Sequence, residues 1–371
     1  MWLVWAPAGA QYIGPLQNKI PTDKQARPGE QAAPEKVRAE RYEIDVRFEP
    51  GRGFLHAKAT VTLRASQFVQ SIVFELNPRL QILEVTDGQG RKLEFTRSGR
   101  MGSPKLLVRL IEPCGAEQGV TLTFVYEGTL PPRPMDYITK DSILLRDESR
   151  WYPAVDISAF TQNEIRITIP VAWKAIAPGI LSEYSATQGA LTLGYETKLP
   201  VSSRSIVAGQ GLECSGDRAK LIPIVIEDKD VLVDTCLLRF PGKEPLIRNW
   251  DTLEMLKFYS RLLGLRDGLR LMLTPGFPGQ RGAIGYSGPG FLVVSEDVVR
   301  WHDYPGYAPE FLPHEVAHQW FPIAVTIVRE EDGWLAESVA EYLAWRYLRG
   351  KNPAAARTMV ARAMRDAPVQ A

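Results

Sequence analysis

From about residue 41 the chain alternates. Tyr42, Ile44, Val46 and Phe48 are separated by Glu43, Asp45 and Arg47. A period of two places alternate side chains on one face of a strand, so this run predicts a strand with one buried face. Turn residues follow in Glu49-Pro-Gly-Arg-Gly53, and Ala57, Ala59, Val61 and Leu63 return as the second strand of a hairpin. Similar runs recur at 106–110, 120–126, 165–169, 191–195 and 221–236, separated by Gly, Pro and Asp. Short strands with turn chemistry between them predict antiparallel sheets, a sandwich or a saddle-shaped pair.

Near residue 245 the period changes. Leu253, Leu256, Tyr259 and Leu263 fall on one face of a helix that should end around Gly264. Two short strands, 269–273 and 291–294, flank a glycine-rich stretch, and helical patterns follow at 311–321, 333–348 and 353–364. The predicted fold class is α+β multi-domain. An antiparallel β saddle or sandwich over residues 37–240 precedes a mainly helical domain over 241–371. Residues 13–36 carry Pro15, Pro21, Pro28, Gly29 and Pro34 among Lys, Gln and Glu, the composition of an exposed linker.

Composition removes several function classes. Lys plus Arg number 44 against 43 Asp plus Glu, a balance that argues against a nucleic-acid partner, which needs a basic face. Three cysteines, Cys114, Cys214 and Cys236, are too few and too scattered for a disulfide framework or a cysteine-rich metal site. No run reaches the roughly 20 apolar residues of a bilayer span. The apolar start, Met1 to Ala10, reads as the tail of a signal or membrane segment whose beginning is absent; a frayed terminus or a first strand is the alternative. A membrane-attached parent chain and an extracytoplasmic or membrane-associated location follow from the first reading, with a cytoplasmic one left open. No Gly-Lys-Ser/Thr follows the glycines of 276–290 and no Gly-x-Ser-x-Gly elbow occurs, which sets aside a phosphate loop and a serine hydrolase.

The histidines alter the picture. Only four occur, and two of them form His314-Glu315-Val316-Ala317-His318 inside a helical segment. Residues four apart on a helix point about 40° from one another, so both imidazoles can reach one ion. Zinc suits two neutral imidazoles and a carboxylate with a fourth position left for water, and Glu315 can take that water's proton. Two satisfied histidines near a surface are the plain alternative. A candidate third ligand, Glu337, follows His318 after eighteen residues, within Trp334-Leu-Ala-Glu337. Glu341, one turn on, is a candidate partner for a metal-bound imidazole, or a surface carboxylate.

This spacing resembles the gluzincin signature of the aminopeptidase N family, the zinc aminopeptidases that include leukotriene hydrolase. Gln319-Trp320-Phe321, Trp334-Leu335-Ala336-Glu337, the opening strand Arg41 to Phe48 and Trp151-Tyr-Pro-Ala-Val-Asp156 are also similar, so the likeness spans roughly residues 40 to 350. The resemblance implies a β saddle domain followed by a thermolysin-like catalytic domain. It implies one zinc ion held by His314, His318 and Glu337, Glu315 as general base, and a peptide or protein substrate.

The pattern also departs from the family. The exopeptidases carry Gly-x-Met-Glu-Asn upstream of the zinc helix, pairing by backbone with the substrate and binding its free amine through the glutamate. Here the stretch is Gly282-Ala283-Ile284-Gly285-Tyr286, with no carboxylate at 285 and tyrosine in place of asparagine. Backbone pairing does not depend on side chains. A buried ammonium without a counter-charge is costly, so amine recognition should be altered. Glu148, in Asp147-Glu148-Ser149-Arg150-Trp151, is a candidate substitute, with Asp147 the competing choice. Tyr342 and Tyr347 lie in the same helix as Glu337, and neither fits the family's distant oxyanion-stabilising tyrosine. The chain therefore reads as a fragment of a longer peptidase, with an incomplete catalytic domain. A binding or assembly module that keeps the peptidase fold without turnover is the alternative function, and the sequence leaves the oligomeric state open.

Overall fold

Tyr42, Ile44, Val46 and Phe48 are buried while Glu43, Asp45 and Arg47 face outward, so the strand Val37–Glu49 buries the face that its alternation marks. It pairs antiparallel with Phe54–Ala65 across the turn at Pro50–Arg52, where Gly53 closes the chain at φ +62°. The computed structural model describes residues 36–98, 104–133, 136–157, 159–210, 212–214, 222–226, 229–238, 252–264, 268–274, 285–295, 309–325 and 333–366. The expected apolar start and the linker up to residue 35 lie outside these residues. The chain divides into two compact units, with the described residues up to Leu212 in one and those from Glu213 onward in the other.

The first unit holds a seven-stranded, a four-stranded and a three-stranded sheet. In the largest, Phe54–Ala65 continues antiparallel to Gly119–Thr129, which pairs with Leu80–Asp87. On its other side Val37–Glu49 runs parallel to Gln162–Pro170, a departure from the all-antiparallel expectation. Alternation fixes which face a strand buries but not its neighbour, and parallel partners need a long connection between them. One apolar core gathers the inward residues of these sheets, with Tyr42, Phe74, Phe124, Tyr126, Trp151 and Tyr152 among its largest side chains.

The second unit has a six-stranded sheet. Lys229–Leu238 lies parallel to Gly268–Thr274, which lies parallel to Phe291–Ser295; Gly285–Gly288 then adds antiparallel as the outermost strand. The alternating run near 221–236 thus pairs within this second unit. Among the described residues four helices accompany the sheet: α1 (Thr252–Leu263), α2 (Phe311–Ala317), α3 (Trp334–Lys351) and α4 (Pro353–Asp366). Leu256 and Tyr259 of α1 are buried as their spacing predicts, whereas Leu263 is 45% exposed at the helix end. Gly264 stops α1 at φ +93°, its N–H donating to Ser260 O, the left-handed close that glycine makes without steric cost.

These helices share one core. Met255, Leu256 and Tyr259 of α1 meet Phe311, Leu312 and Val316 of α2, Ala340, Leu343, Ala344 and Tyr347 of α3, and Ala356 and Met359 of α4. The last helix joins this core through Ala356 and Met359. None of the described helices is long and apolar enough to cross a membrane.

Candidate metal centre

The first histidine sits where α2 can afford a proline. Pro313 occupies the first turn, whose N–H groups have no partner within a helix, and His314 N then donates to Glu310 O at 2.9 Å. Every residue of α2 is buried. The helix is shorter than the expected 311–321: it ends at Ala317, and the next N–H groups, Gln319 and Trp320, reach back only three residues, to Val316 O and Ala317 O. His318 is the residue that caps it, so the two imidazoles are held by one helical turn, their ring centres 4.7 Å apart and perpendicular.

Glu337 enters from the first turn of α3. Its Oε2 is 3.2 Å from His314 Nε2 and its Oε1 is 3.4 Å from His318 Nε2. One donor atom from each of His314, His318 and Glu337 can be chosen so that all lie within 4.8 Å of one another. The opposite ring nitrogens are also committed: His314 Nδ1 lies 3.2 Å from Glu341 Oε2, and His318 Nδ1 lies 3.0 Å from the Phe321 carbonyl oxygen. Both Nε2 atoms are thereby turned toward the shared carboxylate, the arrangement in which an outer acceptor fixes the tautomer of a metal-binding imidazole. Glu341 is thus a partner of His314 rather than a solvated surface group. Arg362 of α4 holds it in turn, with Nη2 3.1 Å from Glu341 Oε1 and Nη1 2.6 Å from Glu310 Oε1.

The protonation of this cluster follows from its crowding. Burial works against a charge on His314, but the hydrogen bonds of Glu337 and Glu341 and the charge of Glu315 outweigh it and raise its pKa to about 10. Burial and the positive charge on His314 lower His318 to about 4. Glu337 is lowered: burial opposes its charge, and the His314 hydrogen bond and both imidazoles favour it. Glu315 is raised by burial, against the pull of His314 and Ser287. A metal ion fits this donor set. His314 Nε2 is buried against Glu337 Oε2 at 3.2 Å, one carboxylate faces two imidazoles, and a divalent cation satisfies all three at once.

Glu315 reaches the strand Gly285–Gly288. Ser287 Oγ donates there, 2.8 Å from Glu315 Oε2 and 2.9 Å from Glu315 O. Gln319 ties the same hairpin to the helix: Gly290 N donates to its Oε1 at 2.9 Å, and its Nε2 donates to Gly288 O at 2.9 Å and Phe291 O at 3.2 Å. Tyr286, half-buried, meets Phe291 edge-on. Gly282, Ala283 and Ile284 lie outside the described residues.

In the first unit the two competing carboxylates separate cleanly. Asp147 is buried and accepts from Tyr152 OH at 2.6 Å, Ser203 Oγ at 2.7 Å, Ser205 Oγ at 3.2 Å and Arg204 N at 3.0 Å. Its oxygens are used within the β core. Glu148, on the same short turn, is 51% exposed and 3.4 Å from Arg146 Nη1. Ser287, Gln319 and Arg362 are the site contributors that sequence reasoning did not assign. For Ser287 a signal existed: on a strand it shares a face with Gly285, two residues before.

The described residues thus form a sheet-rich unit and a second unit, of sheet and helices, that presents two histidines, a glutamate and a separate buried glutamate. Comparison with solved structures gives the particular likeness. The chain is similar to the M1 zinc metallopeptidase from Deinococcus radiodurans, at 20% identity and a TM-score of 0.73, over 90% of this chain and 75% of that one. A mutant of that enzyme bound to a Tyr-Ser-Ala substrate is similar at 20% identity and a TM-score of 0.69, over 85% of this chain and 72% of that one. A two-domain M1 zinc metallopeptidase mutant bound to L-tryptophan is similar to the same degree, 20% identity and a TM-score of 0.69 over 85% and 72% of the two chains. No protein-family model and no curated protein matches the chain. At this identity the likeness establishes the fold, which is that of the M1 zinc metallopeptidases.

Proposed function

We propose that the chain is a zinc-dependent peptidase, aminopeptidase-like in its ligand set and thermolysin-like in its catalytic unit, with altered recognition of the substrate's N-terminal amine. The observation that carries this reading is the convergence of His314, His318 and Glu337 beside a buried carboxylate, Glu315, that stands outside the ligand set. His314, His318 and Glu337 hold the ion, and Glu341 and the Phe321 carbonyl hold the two rings. The zinc supplies a Lewis acid that makes water acidic and polarises a carbonyl. Glu315 takes the proton of the attacking water and passes it to the amine that departs as the C–N bond breaks.

The substrate is a peptide. Gly285–Gly288 is the last strand of its sheet, and an extended chain can pair with such an edge through backbone groups alone. The solved relatives that hold a tripeptide or a single amino acid support the same choice. Gly285 brings no carboxylate to a terminal ammonium.

A mass-spectrometric digest of one peptide in free and N-acetylated form, with zinc-loaded protein, tests the reading. Cleavage of both, with the acetylated peptide within about tenfold of the free one, is expected, since one missing charge pair is worth about that factor. Refusal of the acetylated peptide would show a strict aminopeptidase. The missing carboxylate at 285 also favours a second reading, a binding module without turnover; it predicts that both peptides stay intact while zinc is retained.

A further inference from the structure

We propose that the edge strand Gly285–Gly288 is a cradle that sets where the Glu315 carboxylate lies, with Gly285 and Ser287 as its two positioning residues. The inference rests on the peptidase reading for what that carboxylate does, and on the geometry alone for where it sits. Alternation along the strand puts Gly285 and Ser287 on one face, and that face meets Glu315.

Ser287 acts by hydrogen bonding. Its single hydroxyl is within reach of both the tip of Glu315, at 2.8 Å from Oε2, and the backbone oxygen of the same residue, at 2.9 Å. That carbonyl is within reach because α2 tightens here: the Gln319 N–H turns to Val316 O at 3.1 Å, one residue short of a regular helical bond. Gripping a side chain at its tip and its own backbone fixes its rotamer. The same hydroxyl also suits a proton carrier. It donates to an ionised carboxylate, and it can turn to the carbonyl oxygen and accept from Oε2 once Glu315 holds a proton. Neither form requires a heavy atom to move.

Gly285 acts by leaving room. A Cβ built on it lies 2.8 Å from Glu315 Cδ, 3.0 Å from Oε1 and 3.1 Å from Cγ. Gly285 is not among the glycines with a left-handed φ, so its backbone does not require glycine. The requirement comes from the carboxylate. The atoms in the way are the free end of a flexible side chain, whereas the strand is pinned to α2 by the Gln319 bonds to Gly288, Gly290 and Phe291. An added methyl group would therefore shift Glu315 and leave the strand in place. Gly285→Glu, which restores the carboxylate of the aminopeptidase pattern, should accordingly lower turnover instead of creating amine selectivity.

The test compares wild type with Gly285→Ala, Ser287→Ala and Ser287→Thr in the full chain. Zinc content and melting temperature should stay near wild type. With a blocked peptide, kcat should fall about 10- to 100-fold in Gly285→Ala and Ser287→Ala while KM changes less than about threefold, the signature of a misplaced base rather than lost binding. Ser287→Thr, which keeps the hydroxyl, should recover kcat to within about threefold. A crystal structure of Gly285→Ala gives a readout independent of turnover: the Glu315 carboxylate should be displaced by about 1 Å, a shift large enough to matter to catalysis. An unmoved carboxylate with wild-type kcat in both alanine variants overturns the cradle and leaves the peptidase reading intact. A displaced carboxylate in a zinc-loaded protein that cleaves nothing supports the cradle and overturns the peptidase reading.

Discussion

His314 owes its orientation to a carboxylate that is not a candidate ligand. Glu341 lies 3.2 Å from His314 Nδ1, and Arg362 holds Glu341 from the neighbouring helix. Removing such an outer partner typically costs about 10- to 100-fold in metal affinity. Glu341→Ala should therefore weaken zinc binding by that factor in a chelator competition, without unfolding the protein. Unchanged affinity would show that the ring is oriented by packing alone. The closeness of His314 and His318 was legible in the sequence because helical spacing ties them within one turn, whereas Glu337 was expected beside them only from the family resemblance. Glu341 was half-legible, being one turn beyond Glu337. Arg362 was not, because its partner lies 21 residues away and depends on packing that no local pattern encodes, and Ser287, 28 residues from Glu315, was marked only by the strand face it shares with Gly285.

At the scale of elements, the turn Asp147–Ser149 illustrates how neighbouring carboxylates acquire different tasks. Asp147 gathers Tyr152, Ser203, Ser205 and the Arg204 N–H at the heart of the β unit, while Glu148 faces solvent. Each buried donor left unsatisfied costs about 1–3 kcal/mol, so Asp147→Ala should destabilise the protein by roughly 3 kcal/mol or more. Denaturant unfolding measures this, and a loss below about 1 kcal/mol would contradict the assigned role. Glu148→Gln should leave stability within about 0.5 kcal/mol, as a surface change does. The same scale marks where sequence reading stops. Alternation located the strands Val37–Glu49, Phe54–Ala65 and Gln162–Pro170 and their buried faces. It did not reveal that the first and third run parallel, since period two encodes a face and not a partner.

For the whole molecule, two units with separate cores share one feature, tyrosines buried deep within them. In the β unit, burial pushes Tyr42 up to about 12 and holds Tyr126 and Tyr152 well above the usual tyrosine range; in the second unit, burial does the same to Tyr259. An unfolded tyrosine ionises near pH 10, so the unfolded state gains charge first and stability falls as pH rises from about 10 to about 12. Part of the tyrosinate absorbance should therefore appear only together with loss of circular dichroism in an alkaline titration. Complete ionisation of the tyrosines near pH 10 with the fold intact would contradict the burial of these phenols.

The central claim, that His314, His318 and Glu337 hold a hydrolytic zinc with Glu315 as its base, is tested most directly by one side-by-side measurement. Zinc-loaded wild type and Glu315→Gln are incubated with the same peptide, and hydrolysis is followed against metal content. The expected result is one zinc per chain in both, with hydrolysis in wild type and a loss of at least about 10²-fold in Glu315→Gln, the range of a general base. Equal hydrolysis by the two proteins, or none by the zinc-loaded wild type, would contradict it.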